Sequence, residues 1–324
     1  MTRWLVTGGA GYIGAHVAQA LIDSGREVTV IDSLSSGRRE FVPEAARFVE
    51  GSLLDRDAVT RALEGATGVI HLAGYKYAGE SVRHPLHTYT QNVTGTVELL
   101  EAMREAEVTE IVFSSSAGVY GTPDVAQVTE ATATTPESPY GESKLIGEWM
   151  LWNERRRAEL EGGSFSPVSL RYFNVIGSAT GRIRDTSPHN VVPKVLAGLA
   201  AGRTPTIFGD DYATPDGTNV RDYVHVQDVA LAHVAAAERL ESGQPIESVY
   251  NLGSGAGSST REIIEAILKA TDSDQAPEVG PRRPGDPASI VADGTLAARD
   301  LDWQMRYSID EMIASAVSAA GERD

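Results

Sequence analysis

The run Thr7-Gly8-Gly9-Ala10-Gly11-Tyr12-Ile13-Gly14 follows the strand-like Trp4-Leu5-Val6 and leads into a helical pattern near 13–24. No other stretch limits the fold as strongly. Glycines at 8, 11 and 14 permit a tight strand-to-helix turn and let the backbone approach a pyrophosphate, whose charge then meets a helix N-terminus. A second strand-like run, Glu27–Ile31, ends in Asp32. A carboxylate there accepts hydrogen bonds from ribose hydroxyls and repels a 2′-phosphate, and no arginine replaces it. A glycine triplet alone is an ordinary turn, and an isolated Asp32 could cap a loop. Strand, helix and acid in this order predict a βαβ unit that binds NAD rather than NADP.

The rest of the first half repeats the pattern. Phe48–Glu50, Gly68–Leu72, Glu110–Ser114 and Val168–Arg171 read as strands, separated by helical stretches near 55–64, 84–106 and 139–160. Runs such as Val28-Thr29-Val30-Ile31 suit strands covered on both faces. The predicted fold is α/β, a doubly wound parallel (Rossmann) sheet with a smaller C-terminal α/β lobe. Residues 1–172 are expected to form the NAD-binding domain and 173–324 the substrate domain, with parts of 224–252 returning to the first. A second glycine cluster, Gly253-Ser254-Gly255-Ala256-Gly257, also precedes a helical pattern. No strand supplies an acid after it, so it reads as a structural turn with Ser258 or Ser259 as helix cap.

Composition narrows the function. Lysine and arginine total 28 against 45 acids, a net charge of −17, which argues against nucleic acid as a partner. Arg155-Arg156-Arg157 closes a helical pattern and reads as a solvated helix end. No cysteine is present, so thiolate catalysis and cysteine-held zinc are excluded, and no metal site is expected. No apolar run reaches the roughly 18–20 residues that cross a bilayer. Met1-Thr2-Arg3 runs straight into a strand, so a cytoplasmic protein away from membranes is expected. The four lysines are Lys76, Lys144, Lys194 and Lys269.

Two segments carry chemistry. Strand 110–114 runs into Ser114-Ser115-Ser116-Ala117-Gly118-Val119-Tyr120-Gly121, and Ser138-Pro139-Tyr140-Gly141-Glu142-Ser143-Lys144 opens a helix. Tyr140 and Lys144 stand four apart and share a helix face. Tyrosine is a poor base near its usual pKa of about 10. A neighbouring ammonium and an oxidised nicotinamide would favour its phenolate, and a shift of ~3 units needs roughly 4 kcal/mol. Ser116, at a strand end, is placed to hydrogen-bond the same substrate hydroxyl. Ser116, Tyr140 and Lys144 are the predicted catalytic residues.

These motifs carry a resemblance over nearly the whole chain. Beside Thr7–Gly14 and Tyr140/Lys144 stand Leu72-Ala73-Gly74-Tyr75-Lys76, Gly79-Glu80-Ser81, Asn92, and Leu170-Arg171-Tyr172-Phe173-Asn174. Ile207-Phe208-Gly209, Val220-Arg221-Asp222-Tyr223 and Arg282-Arg283-Pro284-Gly285-Asp286 follow. The sequence resembles the extended short-chain dehydrogenase/reductase family and, within it, the UDP-glucose (UDP-galactose) 4-epimerases. The resemblance implies NAD-dependent, reversible inversion at C4 of a UDP-hexose through a transient 4-keto sugar.

It also implies roles. Around the NAD site would lie Gly8, Gly11, Tyr12, Ile13 and Gly14 in the turn, and Asp32, Ser33, Ser36 and Gly37 after the second strand. Ser52, Leu53, Leu72, Ala73, Gly74, Lys76, Asn92 and Phe173 would complete it with the catalytic three. Lys76, Ser116 and Tyr140 would also meet the substrate. Asn174, Asn190, Thr206, Ile207, Phe208, Arg221, Arg283 and Asp286 would grip the UDP-sugar. Plain alternatives stand beside these: surface ion pairing for Arg221 and Arg283, satisfied amides for Asn92 and Asn190. A homodimer packed through the helices near 84–106 and 139–160 is a further implication.

Two positions depart from the pattern. Ser52 stands where many relatives carry an aspartate on the adenine amine, and either a weaker contact or compensation by Asp55 follows. Ile290 stands at a position linked to acceptance of N-acetylated sugars, so UDP-GlcNAc or UDP-glucuronate is the alternative substrate. Sugar dehydratases and decarboxylases of this fold need acids after the strand-end serine. Ala117 and Gly118 cannot exchange protons. A non-catalytic NAD sensor could dispense with the Tyr/Lys couple, which this chain retains.

Overall fold

The computed structural model describes residues 2–283 and 286–321, so Pro284 and Gly285 of the arginine-rich block lie outside the described residues. Strands form where the β-branched runs predict them. The first part comprises β1 (Arg3–Thr7), α1 (Tyr12–Asp23), β2 (Glu27–Asp32), β3 (Arg47–Glu50), α2 (Arg56–Leu63) and β4 (Gly68–His71). Then come α3 (Ala78–Arg83), α4 (Pro85–Tyr89), α5 (Gly95–Glu105), β5 (Glu110–Ser114), α6 (Pro139–Leu160) and β6 (Ser166–Tyr172). The remainder is β7 (Asn174–Ile176), α7 (Val191–Ala200), β8 (Thr206–Phe208), β9 (Val220–His225), α8 (Val226–Glu241) and β10 (Val249–Leu252). Last are β11 (Gly257–Ser259), α9 (Thr260–Ala270), β12 (Glu278–Gly280), β13 (Ser289–Ile290), α10 (Thr295–Leu301) and α11 (Ile309–Gly321).

Seven parallel strands make the main sheet, in the order β10-β6-β5-β4-β1-β2-β3. Alternation along each strand serves two cores. Trp4, Val6, Val30 and Ile70 meet α1 and α8 on one face. Leu5, Ile31, Val69 and Ile111 meet α2, α5 and α6 on the other. Each such fully buried side chain contributes about 1.5–3 kcal/mol, which is why nearly continuous apolar runs become central strands. The order reverses between β1 and β4, and the crevice beyond their carboxyl ends is where ligands bind in open α/β sheets.

The smaller lobe is built on β9, which pairs with β7, β11 and β13, and on the β8–β12 pair. After β9 the chain returns through α8 to β10 at the edge of the main sheet. The second glycine cluster is a turn, and Ser259 caps α9 in a capping box with Glu262. The helix expected over 84–106 is not uniform. It begins at Pro85, and a π turn at Thr90–Thr94 carries Asn92 between α4 and α5. Among the described residues no helix is long and apolar enough to cross a membrane.

Candidate active site

The turn from β1 to α1 is shaped by what cannot fit there. Gly8 sits at φ +70°, and a Cβ on it would lie 2.8 Å from the Ala73 nitrogen. A Cβ on Gly14 would lie 2.2 Å from the Gly8 carbonyl oxygen. Gly11 caps α1 without a side-chain bond, and the first turn holds no acid, which leaves the amides to an anion. Asp32 ends β2. Its carboxylate accepts from the Ala10 nitrogen at 3.0 Å and the Leu34 nitrogen at 2.8 Å. Burial pushes this carboxyl up, while those amides and the charge of Lys76 pull it down. Each oxygen keeps a lone pair for a further donor. Glycine cradle, uncapped helix start and half-satisfied acid fit a dinucleotide.

Around this cradle, Ser33 and Ser36 are exposed, and Gly37 passes so close that a Cβ would lie 2.8 Å from Asp32. Ser52 accepts from the Leu54 nitrogen, and Leu53 is buried. Asp55 caps α2 through the Ala58 nitrogen at 3.2 Å, so its carboxylate already serves the helix. Leu72, Ala73 and Gly74 leave β4 beside the turn. Ala73 donates to Thr7 Oγ1 at 3.1 Å, and that hydroxyl meets His71 Nδ1 at 2.8 Å, which ties the two strands at the crevice. Tyr12 is buried and donates to the Gly177 carbonyl at 2.5 Å, so its hydroxyl joins the two lobes. Ile13 is half-buried, and Phe173 packs with Tyr120, Leu145 and Ile290.

Helix α6 begins with Ser138, whose hydroxyl accepts from Gly141, and Pro139 in the first turn. It presses on the loop after β5, where a Cβ on Gly141 would lie 2.4 Å from the Gly118 carbonyl. Ser116 Oγ accepts from the Gly118 nitrogen at 3.1 Å and lies beside Tyr140, since a Cβ on Gly118 would lie 3.4 Å from Ser116 Oγ and 3.7 Å from Tyr140 Cδ1. Lys144 Nζ donates to the Ser114 carbonyl at 2.8 Å and lies 6.0 Å from the centre of the Tyr140 ring. Burial lowers Lys144 to about 8, and Glu148 acts in the opposite sense. Burial raises Tyr140, opposed by Ser116. The phenol pKa that the sequence reading expects to be lowered is therefore raised in the chain by itself, because desolvation outweighs the hydrogen bond.

Asn92 is a clamp. Its oxygen accepts from the Tyr75 nitrogen at 2.6 Å, and its amide donates to the Tyr75 carbonyl and to Ser143 Oγ at 2.9 and 2.8 Å. The amide is satisfied, as the plainer sequence reading has it, and it fixes the loop after β4 to α6. Ser81 accepts from the Tyr140 nitrogen at 3.1 Å and is fully buried. Sequence reasoning gave Ser81, Ser143 and Glu148 no role. Spacing offered a signal for Glu148, which follows Lys144 by one helical turn.

The expected substrate residues fall into smaller groups. Asn174 is exposed on β7, and Asn190 precedes α7 with its amide on Asp185 at 2.7 Å. Thr206, Ile207 and Phe208 form β8, with Ile207 buried. The Phe208 ring carries Arg283 at 4.1 Å and Lys194 at 5.0 Å. Arg221 forms an ion pair with Asp286, which also accepts from Asn219 at 3.0 Å. Lys76 is exposed beside Tyr77.

Comparison with known proteins decides the family. A model described as the NAD dependent epimerase/dehydratase family matches residues 4–253. The chain belongs to this family. Within it, the chain is 42% identical to a UDP-glucose 4-epimerase of Lactobacillus helveticus, covering 96% of this chain and 95% of that protein. It is 44% identical to one of Streptococcus mutans, with the same coverage. Its fold is similar to UDP-glucose 4-epimerase from Brucella ovis in complex with NAD, at a TM-score of 0.91 and 38% identity over 98% of each chain. The Bifidobacterium longum enzyme in complex with NAD+ and UDP gives 0.88 and 36%, again over 98% of each. The epimerase/dehydratase family thus has the Rossmann-like fold read from the sequence, and NAD is its cofactor.

Proposed function

We propose that the chain reversibly inverts C4 of UDP-galactose and UDP-glucose, with NAD as a resident cofactor. The observation that carries this reading is the convergence of Ser116, Tyr140 and Lys144 at the strand ends beside the glycine cradle. Gly8, Gly11 and Gly14 would hold the pyrophosphate of NAD, Asp32 its ribose, and Asn92 and Lys144 the walls at its nicotinamide end. Bound there, NAD would supply a hydride acceptor and donor for C4. Tyr140, as phenolate, accepts the proton of the 4-hydroxyl and gives it back. Ser116 orients that hydroxyl. The ammonium of Lys144 favours the phenolate and is itself fixed by the Ser114 carbonyl.

Inversion requires the keto sugar to present its other face without escaping. Binding therefore belongs to the UDP portion. Asn190, Thr206, Ile207, Phe208 and Arg221 would provide it, with Asn174, Arg283 and Asp286 around them. Arginine suits the diphosphate because its planar fork meets phosphate oxygens bidentately. Dehydration is disfavoured, since Ala117 and Gly118 occupy the turn after Ser116 and carry no proton-transfer group. Ile290, which the resemblance links to acceptance of N-acetylated sugars, is buried with Phe173 and Tyr120.

The protein is further proposed to act in the cytoplasm as a homodimer. Exposed Val97 on α5 and Trp149 and Trp152 on α6 are the apolar side chains such an interface would cover. Incubation with UDP-galactose and no added reductant should yield UDP-glucose, and a panel with UDP-GlcNAc and UDP-glucuronate reads the substrate range. Tyr140→Phe should lose about 10²–10⁴-fold in rate. A variant that converts UDP-galactose at the normal rate would remove Tyr140 from its role.

A further inference from the structure

Beneath the catalytic residues lies a buried ion pair that the proposed reaction does not use. Glu148 follows Lys144 by one turn on α6 and shares its face. Its Oε1 accepts from Ser115 Oγ at 2.5 Å and Arg171 Nε at 2.9 Å, and its Oε2 from Arg171 Nη2 at 2.6 Å. Arg171 Nη1 donates to the Tyr120 hydroxyl at 2.9 Å, and that hydroxyl donates to Asn251 Oδ1 at 2.7 Å. The two charged side chains are 7% and 6% exposed. A buried pair of this kind is often no more stabilising than apolar residues of the same size, so stability alone does not account for it.

Its position suggests another purpose. Ser115 is the middle residue of a three-serine strand end. On one side the Ser114 carbonyl takes the Lys144 ammonium, and on the other the Ser116 hydroxyl faces Tyr140. One carboxylate therefore anchors the segment that serves both catalytic side chains. We infer that Glu148, held by Arg171, is a positioning residue that maintains the charge of Lys144 and the placement of Ser114–Ser116, an inference that rests on the proposed epimerase chemistry.

The other groups around Lys144 do not substitute for it. His71 on β4 is kept neutral by burial. From β5 come the Phe113 ring and uncharged serines, and from α6 the Tyr140 phenol. Arg171 and Tyr172 on β6 add a cation and a phenol held neutral by burial. The field of Glu148 opposes the desolvation of the ammonium.

The test compares Glu148→Gln and Arg171→Gln in the NAD-loaded protein. Lys144 is titrated by NMR with 13C-labelled lysine, where four lysines give four signals and Lys144→Arg assigns one. The pH dependence of UDP-galactose conversion is measured in parallel. Glu148→Gln should lower the Lys144 midpoint and the alkaline limb of the rate by about one pH unit, and Arg171→Gln should move both upward. Equal losses at every pH, or displacements of the same sign, overturn the inference. Should a single variant not fold, Glu148→Gln/Arg171→Gln leaves no unpaired buried charge and should still lower the midpoint; an unchanged midpoint overturns the inference. A wild-type protein that does not convert UDP-galactose rejects the epimerase reading, while the NMR titration still decides the role of Glu148.

Discussion

Lys144 holds the Ser114 carbonyl at 2.8 Å while its ammonium stands 6.0 Å from the centre of the Tyr140 ring. The hydrogen bond fixes the charge in place, and the charge favours the phenolate through space. An ammonium beside a shielded phenol stabilises its ionised form relative to the neutral one. Lys144→Met removes both effects. The rate of UDP-galactose conversion should fall at least ~10²-fold, and the acid limb of its pH profile should move upward. Initial rates between pH 6 and 10 check this, and a profile with an unmoved acid limb would contradict it.

Asn92 predicts a second, separable effect. Its three hydrogen bonds tie Tyr75 to Ser143, and the side chain is 5% exposed. Truncation leaves Tyr75 backbone groups without partners, each worth about 1–3 kcal/mol when buried. Asn92→Ala should lower the urea midpoint by an amount equivalent to about 2–4 kcal/mol. Asn92→Asp loses the two donated bonds and should also destabilise. Both variants should release NAD faster, since the loop after β4 walls the cradle. Urea titration and the NAD content after gel filtration measure the two consequences.

Much of this geometry was legible in the sequence because it is local. The glycines at 8, 11 and 14, the acid at Asp32 and the Tyr140–Lys144 spacing each lie within one strand–turn–helix unit, where backbone sterics and helical period decide the outcome. What was not legible joins distant segments. Tyr12 donates to Gly177, Arg171 grips Glu148, and Arg221 meets Asp286 across separations that no periodicity encodes. Asn92 shows the mixed case. Its residue type was visible, but the π turn that carries it to Tyr75 is a tertiary outcome. In the chain by itself the Tyr140 phenol is raised, because burial outweighs the hydrogen bond of Ser116, and burial is not encoded in the Tyr140–Lys144 spacing.

Gly14→Ala tests the cradle directly. The added Cβ would sit 2.2 Å from the Gly8 carbonyl oxygen and 2.9 Å from the Gly9 Cα, both of them backbone. Neither neighbour can rotate away, so the turn must open and the amides at the start of α1 shift. Purified Gly14→Ala protein should carry little NAD and should convert UDP-galactose slowly. Gly163→Ala, whose Cβ would meet only the Ala158 carbonyl oxygen at 3.6 Å and whose backbone is not left-handed, is the control remote from the cradle. NAD absorbance per protein after denaturation reads the result, and equal loading in Gly14→Ala and wild type would refute the cradle.

Four buried histidines predict how stability depends on pH. Burial lowers His16, His225 and His233 to about 4 and His71 to about 3. Each is neutral in the fold, while in the unfolded chain each titrates near 6.5. The unfolded state therefore binds protons that the folded state refuses. This contribution is complete above about pH 6.5–7 and is lost progressively as pH falls toward the folded values. Between pH 7.5 and 6.0 each histidine should cost about 0.8 kcal/mol, about 3 kcal/mol together. The buried acids Asp32, Asp222 and Asp228, raised by burial, act in the opposite sense and reduce the drop, while Lys144, lowered to about 8, acts in the same sense as the histidines. Urea denaturation at pH 7.5 and 6.0 should show a clear drop in the midpoint, and His71→Gln, which removes one titrating group, should show a smaller one. A midpoint equal at the two pH values would mean that these imidazoles are protonated as readily inside the fold as outside it.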